Sequence, residues 1–134
     1  MPIRYQINTR RHPSVAGQVT TTIVTGRQWS LTYQGRTWRP PTDVYETTDA
    51  IVVKLEVAGV FEDDFDITLA EGNLFVRGCR SDPAEKLGYR QMEIAYGEFS
   101  VEVQLAMPVQ ADHVTASYEN GFLLINLPKD NRRV

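Results

Sequence analysis

Val114-Thr115-Ala116-Ser117-Tyr118-Glu119-Asn120-Gly121-Phe122-Leu123-Leu124-Ile125-Asn126-Leu127-Pro128-Lys129 is the stretch that decides the fold. Val114, Ala116 and Tyr118 alternate with polar residues. Leu123, Ile125 and Leu127 alternate again after the Asn120-Gly121 pair. Side chains of a strand point to opposite faces in turn, so each run has one apolar face. Asn and Gly tolerate the positive φ of a tight hairpin turn. Pro128 cannot continue the ladder and ends the second strand.

The same period runs upstream. Phe99, Val101, Val103 and Leu105 alternate with Ser100, Glu102 and Gln104, and Pro108 closes that run. Ile51, Val53, Leu55 and Val57 enclose Lys54 and Glu56, then Ala58-Gly59-Val60 breaks the pattern. Ile67 and Leu69 form a shorter run. Glu71-Gly72-Asn73 stops it, and Leu74, Phe75 and Val76 start the next, which predicts a hairpin. Residues 80–90, with Pro83 and Gly88, read as a loop, and Gln91–Ala95 as a further strand. Short strands at this spacing predict an all-β sandwich or barrel.

Residues 1–41 differ. Val19–Thr25 is almost entirely β-branched and favours extended chain. Trp29, Leu31 and Tyr33 alternate with polar residues, and Arg39-Pro40-Pro41 ends the region. The net charge of −3 is divided unequally: residues 1–42 hold six arginines and no acid, so they carry +6 and the remainder −9. An arginine arm can mark a nucleic-acid contact. An acidic body repels phosphates, so nucleic acid is an unlikely partner, and the expectation is an arm packed on its own or a neighbour's acidic domain. The chain thus divides into an arm (1–41), a domain (42–129) and a short tail (130–134).

The 134 residues, 42% hydrophobic and 23% charged, suit one soluble globular domain. No apolar run approaches the ~20 residues of a membrane span. No secretory signal is visible at the N-terminus, and a single cysteine, Cys79, cannot form an internal disulfide, so a cytoplasmic setting is expected. His12 and His113 lack partners at metal-ligand spacing. Cys79, beside Arg80, reads as a structural thiol at a strand end. Glu62-Asp63-Asp64 and Asp66 lack calcium-loop spacing and read as a solvated acidic turn. There is no phosphate-cradling glycine loop and no nucleophile elbow. No enzyme activity, cofactor or metal is expected.

The 116–129 hairpin, with its Ala, Asn-Gly, Leu and Leu-Pro-Lys, resembles the signature that closes the small heat-shock protein domain. Trp38, Pro40, Asp43-Val44-Tyr45-Glu46, Leu55–Val60 and Gly97-Glu98-Phe99 resemble its earlier steps in the same order. The resemblance covers residues 38–129 and implies an immunoglobulin-like antiparallel β-sandwich, the α-crystallin domain. It implies an ATP-independent holdase that binds unfolding client proteins and limits their aggregation. The sequence departs from the family pattern at Ala58, Ile94 and Val101, where Pro, Arg and Arg are usual. It also reaches Val134 without the Ile-x-Ile or Ile-x-Val motif of the family's tail.

The resemblance further implies a homodimer by strand exchange, with Tyr89–Ile94 of one copy beside Thr42–Glu46 of another. Val44, Tyr45, Tyr89, Met92, Ile94 and Val101 are the interface candidates. Ile67, Leu69, Leu123 and Ile125 are expected to line the groove that a tail motif would fill. Ile3, Tyr5 and Ile7, or Ile23 and Val24, are candidate fillers from the arm. Trp29, Tyr33 and Trp38, with Tyr5, form the candidate client surface. Dimers or small oligomers are expected. Two rival readings are a β-sandwich co-chaperone or adaptor and an anion-binding or nucleic-acid-binding arm.

Overall fold

The computed structural model describes residues 3, 4, 8–10 and 37–131, the first five by backbone only. Nine strands appear in chain order: β1 (Ile3–Arg4), β2 (Asn8–Arg10), β3 (Thr42–Glu46), β4 (Ala50–Glu56), β5 (Asp66–Ala70), β6 (Asn73–Arg80), β7 (Gly97–Gln104), β8 (Thr115–Glu119) and β9 (Phe122–Pro128). Single 3-10 turns lie at Glu62–Asp64 and Ala111–His113. The strands form a five-stranded sheet, β1-β8-β9-β4-β3, and a four-stranded sheet, β2-β5-β6-β7. All pairs are antiparallel except β2 with β5. The fold is thus the expected β-sandwich.

Alternation sets the layers. Ile51, Val53 and Leu55 of β4 face Leu123, Ile125 and Leu127 of β9 in the inner layer of one sheet, with Val53 opposite Ile125. Ile67, Leu69, Leu74, Val76, Phe99, Val101 and Val103 form the inner layer of the other. Each fully buried aliphatic side chain contributes roughly 1.5–3 kcal/mol. The β8–β9 hairpin turns through Asn120 and Gly121, with φ of 55° and 84°. A Cβ on Gly121 would lie 2.9 Å from that of Ala58, so the turn fits tightly against the 57–60 bend.

One end of the core is a row of rings. Trp38 meets Phe99 at 5.4 Å, Phe99 meets Phe65 at 6.1 Å, and Phe65 meets Tyr118 at 4.9 Å, all edge to face. That geometry matches the preferred alignment of ring quadrupoles. Gly78 makes room for it. A Cβ there would lie 2.2 Å from the Phe99 ring and 2.9 Å from the Asp64 carbonyl oxygen.

Candidate functional site

The sandwich leaves backbone edges on which another chain can act. Among the described residues, β3 ends the five-stranded sheet and pairs with β4 alone. Val44 and Tyr45 point to opposite faces of this strand, yet both are exposed, at 50% and 46%. Neither face of β3 is fully covered by the described residues. Unpaired edge groups of this kind are templates for a further strand.

The 81–96 segment leaves the sandwich between Arg80 and Gly97, the last register pair of β6 and β7. Leu87, Tyr89, Met92 and Ile94 are all exposed, Leu87 completely. The strand expected over Gln91–Ala95 is not formed. A strand is defined by its partner, and this stretch pairs with no described strand.

Two sets of contacts shape that segment. Near its outer turn, Tyr89 Oη donates to Asp82 Oδ2, and Lys86 Nζ lies 2.6 Å from the same oxygen. Lys86 also sits 5.1 Å over the Tyr89 ring. The ammonium first, then the phenol, hold the Asp82 carboxyl below its ordinary pKa. Asp82 in turn raises the Lys86 and Tyr89 pKa values. At the base, Arg80 Nε donates to the Ala95 carbonyl at 2.9 Å and Nη1 to the Ala58 carbonyl at 3.0 Å. Its guanidinium lies 4.3 Å over the Trp38 ring.

On the opposite flank, β1 runs antiparallel to β8, with Ile3 opposite Tyr118. β2 runs parallel to β5, with Thr9 opposite Leu69. β1 and β2 are thus the outermost strands of the two sheets, next to β8 and β5. Tyr118 itself donates from Oη to the Val57 carbonyl at 3.0 Å, and burial raises its phenol pKa. Beside it lies a shallow hollow lined by Phe61, Glu62, Asp63, Tyr118 and Glu119, among others.

Several sequence assignments need correction. Val101 is 1% exposed and lies in the sandwich core, so it is not available to a partner. Its inward position follows from its alternation with Phe99 and Val103. Leu123 and Ile125 belong to β9, an interior strand, and are fully buried. The edge opposite β5 is β8, which carries Ala116 and Tyr118. Ile67 and Leu69 lie on β5, between β2 and β6, with side chains turned into the core. Trp38 is held by the sandwich: Nε1 donates to the Gly97 carbonyl at 3.1 Å, and its backbone bridges Phe99. It is therefore not a free client surface. Tyr5, Ile7, Ile23, Val24, Trp29 and Tyr33 fall outside the described residues. Arg80 and Leu87, which sequence reasoning passed over, stand at the base and turn of the 81–96 segment. The loop reading of 80–90 pointed to exposure there, but a contact such as Arg80 with Trp38 left no sequence signal.

Among the described residues, no group of three or more His, Cys, Asp or Glu is placed to hold a metal ion. No described helix is long and apolar enough to cross a membrane.

The Hsp20/alpha crystallin family model matches residues 43–134. Small heat shock protein C4 of Rickettsia felis is 31% identical over 99 residues, covering 72% of this chain and 61% of that protein. Heat shock protein 16 of Schizosaccharomyces pombe is 30% identical over 94 residues, covering 67% and 66%. The chain spans about three fifths to two thirds of the length of these curated relatives. Among solved structures, heat shock protein 16.0 from Schizosaccharomyces pombe aligns with a TM-score of 0.68 at 27% identity, covering 75% of this chain and 73% of that one. The hspA structure from Xanthomonas axonopodis aligns with a TM-score of 0.67 at 27% identity, covering 73% and 100%. The sandwich, the ordered strand signatures and the family match over more than half of its length together make this chain a member of the Hsp20/alpha crystallin family of small heat-shock proteins.

Proposed function

We propose that this protein is an ATP-independent holdase chaperone that works as a strand-exchanged homodimer or small oligomer. The observation that carries the reading is the pairing of an open β3 edge with a projecting 81–96 segment whose Tyr89, Met92 and Ile94 are exposed. A second copy brings each segment to the other's β3, where backbone hydrogen bonds form and the apolar side chains leave water. Val44 and Tyr45 receive them. Holding an unfolding client then needs no reaction. Apolar surface and open edges meet the client, which lowers its free concentration and slows its aggregation.

Residues 3–10 have a second role in this proposal. The backbone pairing of β1 with β8 and β2 with β5 supports an arm that occupies the groove flank of its own domain. Six arginines in residues 1–42 then lie near an acidic body, an attraction that salt weakens.

Heating a test client with the pure protein in the absence of ATP checks the holdase reading. Light scattering from the client is expected to fall in proportion to added chaperone. Undiminished aggregation at a subunit excess sinks it. Deletion of residues 1–24 checks the arm. Bound apolar dye is expected to rise and the particle mass to change; if neither moves, the arm does not fill the groove.

A further inference from the structure

The 81–96 segment is sixteen residues long and runs between Arg80 and Gly97, the last register pair of β6 and β7. A chain of that length on two anchors samples many directions unless something fixes its exit. Arg80 stands where the direction is set. It is the last residue of β6, and its register partner Gly97 is the first of β7. Its guanidinium reaches three separate parts of the protein. It donates to Ala95, on the returning limb of the segment. It donates to Ala58, in the bend that follows β4. It covers the ring of Trp38, and Trp38 donates to the Gly97 carbonyl at the point of return. The Tyr96 ring lies on another side, 5.8 Å away.

The planar, always-charged fork of arginine suits this task. It makes divergent hydrogen bonds in a fixed geometry while its face stacks on an aromatic ring. Carbonyl acceptors on two elements fix the group more firmly than either alone. Gly59, whose φ is 84°, lets the chain take the left-handed bend beside Arg80, where a Cβ would make only ordinary contact with Arg80 Cδ at 3.5 Å.

We infer that Arg80 is a positioning residue for self-association: it fixes the direction in which 81–96 leaves the sandwich and thereby sets how strongly that segment pairs with β3 of a second copy. This rests on the strand-exchange reading above. Its physical basis is preorganisation, since a segment already held in its bound direction loses less freedom on pairing.

The test uses the full chain in a Cys79→Ser background, with spin labels at Arg90→Cys and Gln104→Cys and unlabelled subunits in excess. Arg80→Met removes the charge and both donors while keeping an unbranched side chain. Arg80→Lys keeps the charge without the fork, and serves also if Arg80→Met does not fold. The label-to-label distance distribution is expected to widen roughly twofold in Arg80→Met and less in Arg80→Lys. Sedimentation over a concentration series is expected to show self-association weakened about tenfold, as loss of a preorganised direction implies. A merely structural role lowers the melting temperature without widening the distribution. An unchanged width in both variants overturns the inference, as does widening with unaltered self-association. A wild-type chain that stays monomeric throughout the series refutes strand exchange itself, a result that needs no variant to be seen.

Discussion

The sandwich core and the 81–96 segment are both rich in apolar side chains, but they obey opposite rules. In the core, Val53, Leu55, Leu123 and Ile125 are wholly removed from water, and every strand there has partners. In the segment, Leu87, Met92 and Ile94 stand in solvent, and no strand forms. The difference is one of stoichiometry. The core strands have partners within one chain, whereas the segment has none among the described residues, and the proposed strand exchange would supply one. Apolar residues in the first region are therefore expected to govern folding, and under the proposed strand exchange those in the second govern association.

The largest effect that sharpens this contrast is expected at Gly78. Gly78→Ala forces a methyl group into the Phe99 ring and against the Asp64 carbonyl oxygen, at 2.2 and 2.9 Å. Overpacking of this degree costs about 3 kcal/mol or more, read as a lower urea midpoint. Leu55→Ala, at a fully buried position, is expected to cost about 2–5 kcal/mol. Leu87→Ser, by contrast, is expected to stay within about 0.5 kcal/mol in the same assay, as fully exposed positions do. Equal losses at Leu55 and Leu87 would break the comparison.

Gly121→Ala is intermediate. It places a side chain at φ 84° and within 2.9 Å of the Ala58 Cβ. A cost of about 1–3 kcal/mol is expected from the backbone alone. Denaturant titration checks it, with Gly72→Ala as the control: that residue has similar φ, 79°, but open space around it. A larger loss at Gly121 measures the contact with Ala58.

The smallest expected effects are those of pH. The folded Tyr118 phenol has a raised pKa, chiefly from burial. The unfolded chain releases that proton first, at pH about 10. Stability is therefore full below that pH and falls as pH rises through the folded value. Tyr118→Phe is expected to flatten this alkaline limb. Asp82 behaves in the opposite sense. Its lowered pKa gives a contribution present above the ordinary carboxylate value and lost as pH falls through the folded one. Because Asp82 belongs to the exposed segment, acidification there is expected to change segment order, followed by hydrogen exchange, before it changes the unfolding midpoint.

Much of the core was legible in sequence because alternation is a local signal. Ile51 to Val57, Phe99 to Val103 and Leu123 to Leu127 each declared their inner face, and Asn120-Gly121 declared its turn. What was lost depended on distance in the chain. Alternation does not distinguish an interior strand from an edge strand, so Leu123 and Ile125 were assigned to a groove that β8 borders. Val101 was read as an interface residue because a surface arginine is usual there in the family. Its own alternation already pointed inward. Trp38 finds Gly97 and Arg80 across the fold, and no local pattern announces that. Gln91–Ala95 has strand-forming residues, but strand formation needs a neighbour, and none of the described strands lies beside it.

The pairing of β4 with β9 has a consequence for how the protein is made. Ile51 lies opposite Leu127, and Leu55 opposite Leu123. A ribosome adds roughly 5–20 residues per second, so several seconds separate the synthesis of these partners. Until β9 is made, β4 has only β3 beside it within its sheet among the described strands, and until β5 to β7 are made the apolar side of that ribbon is uncovered. Long-range closure of this kind is also slow once the chain is free. For part of its own birth, the newborn chain presents the same uncovered apolar strands that a holdase binds in others.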